Sequence, residues 1–268
     1  MIEAKAGSPE KLPVRRSFGL AASTYDSVAG LQRRMGEELV EELKGRAAKP
    51  RRIVDIGAGT GYPSHLLAGS FPGAELVLLD IAETMLGQAR RSRALGQAGF
   101  VCADADALPF AASSVDVLFS NLALQWCPDL ARTLGEMKRV LAPGGIAAIS
   151  LFVEGTLVEL AAAWSVVDDR THVNEFVSLA GIRASAAEAG FCEIGLRPVR
   201  IPVRYESVHQ LMRELKGLGA RNATRNRPRQ LTGKQAMSRM IAAYEAAMED
   251  GHVVATYEIV TCLFRCLS

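Results

Sequence analysis

Three glycines at alternate positions, directly after a short β-branched run, constrain this chain more than any other feature. The run 53–56 leads into the loop 57–61, which reads Gly-x-Gly-x-Gly, and apolar residues with helical spacing resume at Ser64. Glycine permits positive φ and lets a ligand approach the main chain without a Cβ in the way. The pattern predicts a strand, a tight loop and a helix, with a nucleotide-type site at the carboxyl end of a parallel strand.

The glycine spacing distinguishes two kinds of nucleotide. A dinucleotide fingerprint runs Gly-x-Gly-x-x-Gly and places pyrophosphate on the next helix, whereas this loop follows Asp55 with the shorter spacing. Asp80 ends the next apolar run, where a carboxylate would accept hydrogen bonds from both hydroxyls of a ribose. Together these motifs resemble those of class I methyltransferases. The resemblance implies S-adenosylmethionine as the cofactor and S-adenosylhomocysteine as its product.

Further residues around the cofactor follow from the same resemblance. Asp104, beyond the third predicted strand, would receive the adenine amino group, and Ile81 and Met85 are close enough in sequence to Asp80 to cover an adenine face. The glycine loop would hold the methionine end through backbone groups and water. The predicted cofactor site consists of Tyr25, Gln32, Asp55, Gly57, Ala58, Gly59, Gly61, Asp80, Ile81, Met85, Asp104, Ala105, Asn121 and Leu122.

Strand and helix patterns alternate through the middle of the chain, which predicts an α/β fold with a mostly parallel, Rossmann-like sheet and helices on both faces. Pro198 and Pro202 favour an edge position for the sixth strand. The seventh strand would be antiparallel, as in the fold that the chain resembles. The predicted strands cover about 52–56, 75–79, 99–102, 115–120, 146–153, 192–203 and 253–264, with a turn at 143–145.

The remaining segments are assigned around this sheet. Residues 1–16 lack periodicity and are predicted to form a flexible tail. Residues 17–268 would form a single methyltransferase domain, in which 17–48 is a helical cap of two helices. An arginine-rich helical lid at about 205–248 is predicted between the last two strands.

Composition excludes several classes of protein. No apolar stretch approaches the roughly 18 residues of a membrane span, and the polar N-terminus lacks the apolar segment of a secretory signal. Five cysteines, odd in number and without a Cys-x-x-Cys pair, indicate reduced thiols in a cytoplasmic protein. The four histidines have no metal-ligand spacing, so we predict no metal. We expect a monomer.

Charge is distributed unevenly along the chain. Between Arg197 and Met240, nine arginines and two lysines oppose Glu206 and Glu214, a local net charge of +9, whereas the whole chain carries +2. The remainder is therefore at −7. This asymmetry predicts an anionic partner for the C-terminal third.

Three segments carry a more specific resemblance. Phe18 and the segments 21–33, 120–127 (Ser-Asn-Leu-Ala-Leu-Gln-Trp-Cys) and 215–220 with Asn222 resemble the malonyl-[acyl-carrier protein] O-methyltransferases of biotin synthesis. An arginine commonly precedes the Ala-Ala pair in that family, but Leu20 stands here. The resemblance implies methylation of the free carboxylate of a malonyl thioester on an acidic acyl carrier protein, with no nucleic acid or membrane as partner.

The implied chemistry needs no catalytic base. A carboxyl group with a pKa near 4 is almost fully ionised at about pH 7, so the nucleophile is already charged. We predict positioning only, by neutral or single-point donors rather than a bidentate arginine. The candidates are Tyr25, Gln32, Gln125 and Trp126, and those for substrate or carrier docking are Gln125, Trp126, Lys216, Asn222, Arg221, Arg225, Arg227 and Arg229.

Other readings of the same residues stay open. A relative with the same cofactor half could methylate another small acid or an isoprenoid. An RNA-binding module could use the arginine-rich lid to track phosphates, although few aromatic residues accompany those arginines to stack bases. A non-catalytic cofactor sensor finds no support in the intact loop.

Overall fold

One seven-stranded sheet organises the computed structural model, which describes residues 9–47, 49–220, 222–223, 233–248 and 250–267. The strands are β1 (Arg52–Ile56), β2 (Glu75–Asp80), β3 (Gly99–Cys102), β4 (Val115–Asn121), β5 (Leu141–Phe152), β6 (Phe191–Tyr205) and β7 (Val253–Cys266). Their spatial order is β3-β2-β1-β4-β5-β7-β6. The first five pair in parallel, and β7 is antiparallel to both β5 and β6. The predicted α/β class, the antiparallel last strand and the edge position of the sixth strand are confirmed.

The helices surround the sheet in the expected alternation. They are α1 (Lys11–Ala21), α2 (Tyr25–Val28), α3 (Gly30–Lys44), α4 (Tyr62–Ser70), α5 (Glu83–Ser92), α6 (Leu130–Val140), α7 (Val158–Ser165), α8 (Leu179–Glu188), α9 (Val208–Gly217) and α10 (Lys234–Glu245). Because α9 and α10 lie between β6 and β7, the predicted helical insertion between the last two strands is confirmed, and its role as a lid stays a prediction. Over the part of the chain that the structure describes, no helix has the length and apolar character needed to cross a membrane.

Two predicted boundaries are wrong. Helix α1 begins at Lys11, so the predicted tail, which ended at residue 16, was too long. Among the described residues, three helices rather than two precede the sheet. Pro13 lies in the first turn of α1, where a missing amide costs no helical hydrogen bond. The predicted turn at 143–145 is instead an irregularity within β5: the β4–β5 register shifts between Val115 and Val117, and Gly144 has φ +80°.

Both faces of the sheet are covered, which explains why its central strands read as continuous apolar runs. Alternate residues of β1 point to opposite sides: Val54 packs in the cluster that contains α6 and α8, and Ile53 packs in the cluster that contains α3, α4 and α5. A third cluster joins α7, α9 and α10 to the far end of β6 and β7. The carboxyl ends of β1, β2 and β4 are therefore held in place by packing on both faces of the sheet.

Candidate functional site

Four of the five amide groups in the glycine loop 57–61 donate hydrogen bonds within the protein. Those of Gly57 and Ala58 donate to the Leu79 carbonyl at 2.7 and 3.1 Å. The Gly59 amide donates to Asp80 Oδ2 at 2.9 Å, and that of Gly61 donates to the Ala58 carbonyl at 2.9 Å. The carbonyl oxygens of the loop can accept hydrogen bonds from a ligand, which suits an ammonium group.

All three glycines have positive φ, but the space around them differs. A Cβ on Gly57 would lie 2.3 Å from the Cβ of Ala123, and one on Gly61 would lie 2.9 Å from the Cβ of Ala89 in α5. A Cβ on Gly59 would meet nothing within 4 Å, so this residue borders open space. Gly61 and the buried Ala58 thus support the loop and are not among the residues that line the crevice beside it.

Asp80 connects the loop to the end of β2. Its carboxylate accepts from the Gly59 amide and, through Oδ1 at 2.8 Å, from the Ala82 amide. Burial raises the pKa of Asp80, and these backbone hydrogen bonds oppose the rise. Since a carboxylate has about four lone-pair sites, two amides leave acceptor capacity for a vicinal diol.

A crevice of about 730 Å³, open to solvent, lies beside Asp80 and Gly59. It brings together most of the predicted cofactor residues. The predicted residues that line it are Tyr25, Gly57, Gly59, Asp80, Ile81, Met85, Asp104, Ala105, Asn121, Leu122 and Trp126. Gln32 and Asp55 instead line a smaller pocket of about 370 Å³, which Tyr25, Gly57 and Asn121 also line.

Asp55 is buried at the end of β1 and accepts a hydrogen bond from the Ser64 hydroxyl. Burial raises its pKa to about 7, although the Ser64 hydrogen bond opposes the shift, and the nearby charge of Asp80 adds to it. Near neutral pH this carboxyl group therefore exists in both protonation states.

Helix α1 contributes Lys11 and Val14, which the sequence analysis missed because it assigned residues 1–16 to a tail, and Phe18, which it named without a role in the site. Lys11, Val14 and Phe18 line the crevice. The Lys11 ammonium group forms ion pairs with Asp104 and Asp106, across 93 and 95 residues of sequence. Burial lowers the pKa of Lys11, but the two carboxylates have the larger combined effect, so the pKa of Lys11 is raised. No local sequence signal could have found this pairing.

Helix α2 is fixed to the glycine loop by a shared carboxylate. Thr60 Oγ1 donates to Asp26 Oδ1 at 2.5 Å, and Arg93 Nη2 donates to Asp26 Oδ2 at 2.7 Å. The neighbouring Tyr25 is thereby held at the crevice wall. Burial, with the nearby charges of Asp80 and Asp26, raises the pKa of Tyr25, so its phenol is neutral and can donate a hydrogen bond.

Three residues with amide side chains, Asn121, Gln125 and Gln32, take part in hydrogen bonds at or near the end of β4. Asn121 Nδ2 donates to the Gln32 carbonyl at 2.8 Å, and Asn121 Oδ1 accepts from Ser150 at 2.8 Å. Gln125 Nε2 donates to the Leu122 carbonyl at 2.6 Å. The side-chain oxygens of Gln32 and Gln125 are buried and have no hydrogen-bond partner among the described residues. Asn121 is therefore fixed, whereas Gln32 and Gln125 retain unused polar capacity.

Trp126 separates the crevice from a second cavity of about 1490 Å³, since it lines both. Gln32 lines this second cavity, and so do Lys216 and Asn222 of the predicted docking set, but Gln125 does not. Arg221, Arg225, Arg227 and Arg229 lie outside the described residues. Leu215, Leu218 and Ala220 of the segment 215–220 also line the cavity. So do residues that the sequence analysis did not single out, namely Phe152, Thr156, Leu157, Leu160, Trp164, His172, Val173, Asn174, Phe176, His209, Met212, Arg213 and Tyr257.

Part of the predicted positive charge is neutralised by the fold. Arg197 pairs with Glu38 and Glu42 at 2.9 Å each, and Arg200 pairs with Glu258 at 3.2 Å. The local charge of +9 therefore overstates the field that a partner would meet. Over the described ranges, no group of three His, Cys, Asp or Glu side chains could hold a metal ion.

Comparisons with known proteins agree with this geometry. The family model described as "Methyltransferase domain" matches residues 54–149. A malonyl-[acyl-carrier protein] O-methyltransferase of Methylococcus capsulatus is 46% identical over 260 residues, which cover 96% of this chain and 94% of that protein. The biotin biosynthesis bifunctional protein BioHC of Cellvibrio japonicus is 41% identical over 96% of this chain and 50% of that protein.

Solved structures share the architecture. A putative methyltransferase from Bacillus halodurans matches with a TM-score of 0.64 over 87% of this chain and 100% of that chain, at 17% identity. At this identity the match shows the fold alone.

Proposed function

The chain belongs to the malonyl-[acyl-carrier protein] O-methyltransferase family, and we propose that it methylates the free carboxylate of a malonyl thioester carried on an acyl carrier protein. The methyl donor is S-adenosylmethionine. The product is a methyl ester that enters biotin synthesis, in keeping with the name of the Cellvibrio relative.

The crevice fits this cofactor in three respects. Asp80 has spare acceptors for a ribose diol, and Gly59 borders open space. The loop presents carbonyl oxygens that suit the amino group of a methionine. When bound, the cofactor supplies an electrophilic methyl group, and its transfer exchanges a sulfur–carbon bond for an oxygen–carbon bond without moving a proton.

The position of Trp126 is the observation that carries the proposal. Because this one side chain lines both cavities, a methyl donor in the crevice and an acyl group in the second cavity would meet beside it. The protein's task is then to align the two and exclude water, which contributes up to about 7–11 kcal/mol in model reactions.

The residues at this boundary suit a carboxylate that must stay reactive. Within the described ranges no arginine lines the crevice, so no bidentate ion pair would stabilise the ground state there. Tyr25 and Trp126 line the crevice, and Gln32 lines the second cavity and the smaller pocket. We assign them to orientation of the carboxylate by single hydrogen bonds, and we assign no residue to general-base catalysis.

The partner is an acidic acyl carrier protein, for which the basic residues between β6 and β7 offer complementary charge. The chain is expected to act as a cytoplasmic monomer, without nucleic acid. A filter-binding comparison of RNA with carrier protein tests the RNA-binding alternative, which would require RNA to bind at least as tightly.

The decisive assay supplies radiolabelled S-adenosylmethionine with malonyl-, acetyl- and succinyl-carrier protein. We expect label on the malonyl form alone, because acetyl lacks a free carboxylate and succinyl places it one methylene further away. Equal labelling of succinyl-carrier protein would refute the malonyl assignment, and no label on any of the three would refute carboxyl methylation.

A further inference from the structure

One face of α9 forms part of the second cavity. His209, Arg213 and Lys216 are spaced four and three residues apart, which places them on the same side of a helix. All three line the cavity and are exposed, whereas Val208 and Leu211 face the protein interior. This face therefore forms a polar rim where the cavity meets solvent.

The two permanent cations of this rim are not neutralised by the protein. Over the part of the chain that the structure describes, no carboxylate forms an ion pair with Arg213 or Lys216. The contact recorded for the Arg213 side chain is from its Nε to the His209 carbonyl, at 3.3 Å. Glu214 lies between them in sequence but accepts from Tyr205 at 2.8 Å instead. The guanidinium and the ammonium group are therefore available to an anion.

The inner part of the same cavity is apolar. Leu157, Leu160, Trp164 and Tyr257 line it and are each at most 8% exposed. Trp126 also lines the cavity and borders the cofactor crevice. Along its length the cavity thus offers an apolar interior that adjoins the crevice and a cationic rim on α9.

We propose that Arg213 and Lys216 bind the phosphate group of the phosphopantetheine arm that carries the malonyl thioester. The inference rests on the proposed function and adds a subsite to it. Such a substrate has a thioester at one end, an uncharged chain in the middle and a phosphate at the other end, which matches the order of surfaces in the cavity. Arg213 can contact phosphate through two parallel donors, and Lys216 adds a point charge.

The test compares substrates that differ only in the phosphate. Methylation rates are measured for malonyl-phosphopantetheine and malonyl-pantetheine with the wild type, Arg213→Gln, Lys216→Gln and the double variant. We expect the double variant to lose about tenfold more kcat/KM with the phosphorylated substrate, since an exposed charged contact contributes modestly. Arg46→Gln is the matched control, because this exposed arginine lies between α3 and β1 and lines neither cavity.

Each outcome decides the matter. Equal losses on both substrates, or no loss on either, overturn the phosphate subsite. If the wild type methylates no malonyl thioester at all, the proposed function fails instead. If it accepts carrier-bound substrate alone, phosphopantetheine and pantetheine are compared as competitive inhibitors, and the double variant must weaken inhibition by the phosphorylated compound selectively. The same rates are measured with malonyl-coenzyme A. A selective loss in the double variant with this substrate as well indicates a general phosphate contact, and a loss with carrier-bound substrate alone indicates a contact specific to the carrier protein.

Discussion

The rings of Phe18 and Trp126 meet edge to face, with centroids 5.3 Å apart and planes at 79°. Phe18 belongs to α1, and Trp126 ends the 3-10 turn Leu124–Trp126 after β4. The contact therefore joins the N-terminal helix to the residue that separates the two cavities. It makes α1 a part of the site rather than a peripheral cap.

Replacing Phe18 by Leu should loosen Trp126 while keeping an apolar side chain in place. An aromatic pair contributes about 0.5–1.5 kcal/mol beyond its buried area, so we expect kcat/KM for malonyl-carrier protein to fall about 2- to 10-fold. The control is Phe100→Leu, since Phe100 lies on β3 beneath the Arg90 guanidinium, 4.4 Å from its ring centroid, and lines neither cavity. Equal losses in the two variants would show that the Phe18 contact has no special role.

Asp80→Asn should weaken cofactor binding. The amide keeps one acceptor oxygen but presents an NH₂ group where the carboxylate now accepts, so we expect S-adenosylhomocysteine to bind about 10- to 100-fold more weakly by calorimetry. Asp116→Asn is the matched control, because Asp116 Oδ2 also accepts two backbone amides, those of Arg51 and Arg52 at 2.8 and 2.9 Å. An affinity in Asp80→Asn no lower than in this control would remove Asp80 from the cofactor site.

Lys11→Met should release the start of α1. Without its ammonium group, Asp104 and Asp106 lose their shared partner, and the helix loses the ion pairs that hold it over the crevice. We expect faster amide hydrogen exchange in α1 and faster dissociation of S-adenosylhomocysteine. Lys44→Met, which removes a surface pair with Glu41 at 2.8 Å, should change neither. Unaltered exchange in α1 would mean that Lys11 does not hold the helix.

The raised pKa of Asp55 should make the stability of the protein depend on pH. Its pKa rises from the ordinary 3.8 to about 7 in the folded protein, so between these values the native state binds more protons than the unfolded state. The contribution of Asp55 to the free energy of unfolding must therefore fall as pH rises from about 4 to 7, by an amount on the order of a few kcal/mol at most. This loss of stability is complete once the pH exceeds the pKa of Asp55 in the folded protein.

Asp55→Asn cannot ionise, so its stability relative to the wild type should increase between pH 5 and pH 8 in urea denaturation. Other titrating groups cancel in that difference. A difference that stays constant with pH would show that Asp55 is not shifted upward.

Predictions from sequence succeeded where a local pattern has a single physical solution. The positive φ of the three loop glycines and the position of Asp80 at the end of β2 follow from the local pattern, whereas the binding roles assigned to these residues stay predictions. The sixth strand lies at the edge because proline cannot donate to a central ladder. The tail boundary failed because α1 is stabilised by partners distant in sequence, Asp104 among them, rather than by its own periodicity.

The sequence by itself determined the alternation of strands and helices along the chain, the glycine loop and the acidic residue at the end of β2. These features depend on residues that are neighbours in the sequence. Tertiary structure decided that Lys11 reaches Asp104, that Trp126 lines two cavities and that the face of α9 with Arg213 forms a rim. Such relationships join residues that are distant along the chain, and they exist because packing against a common sheet brings those segments together.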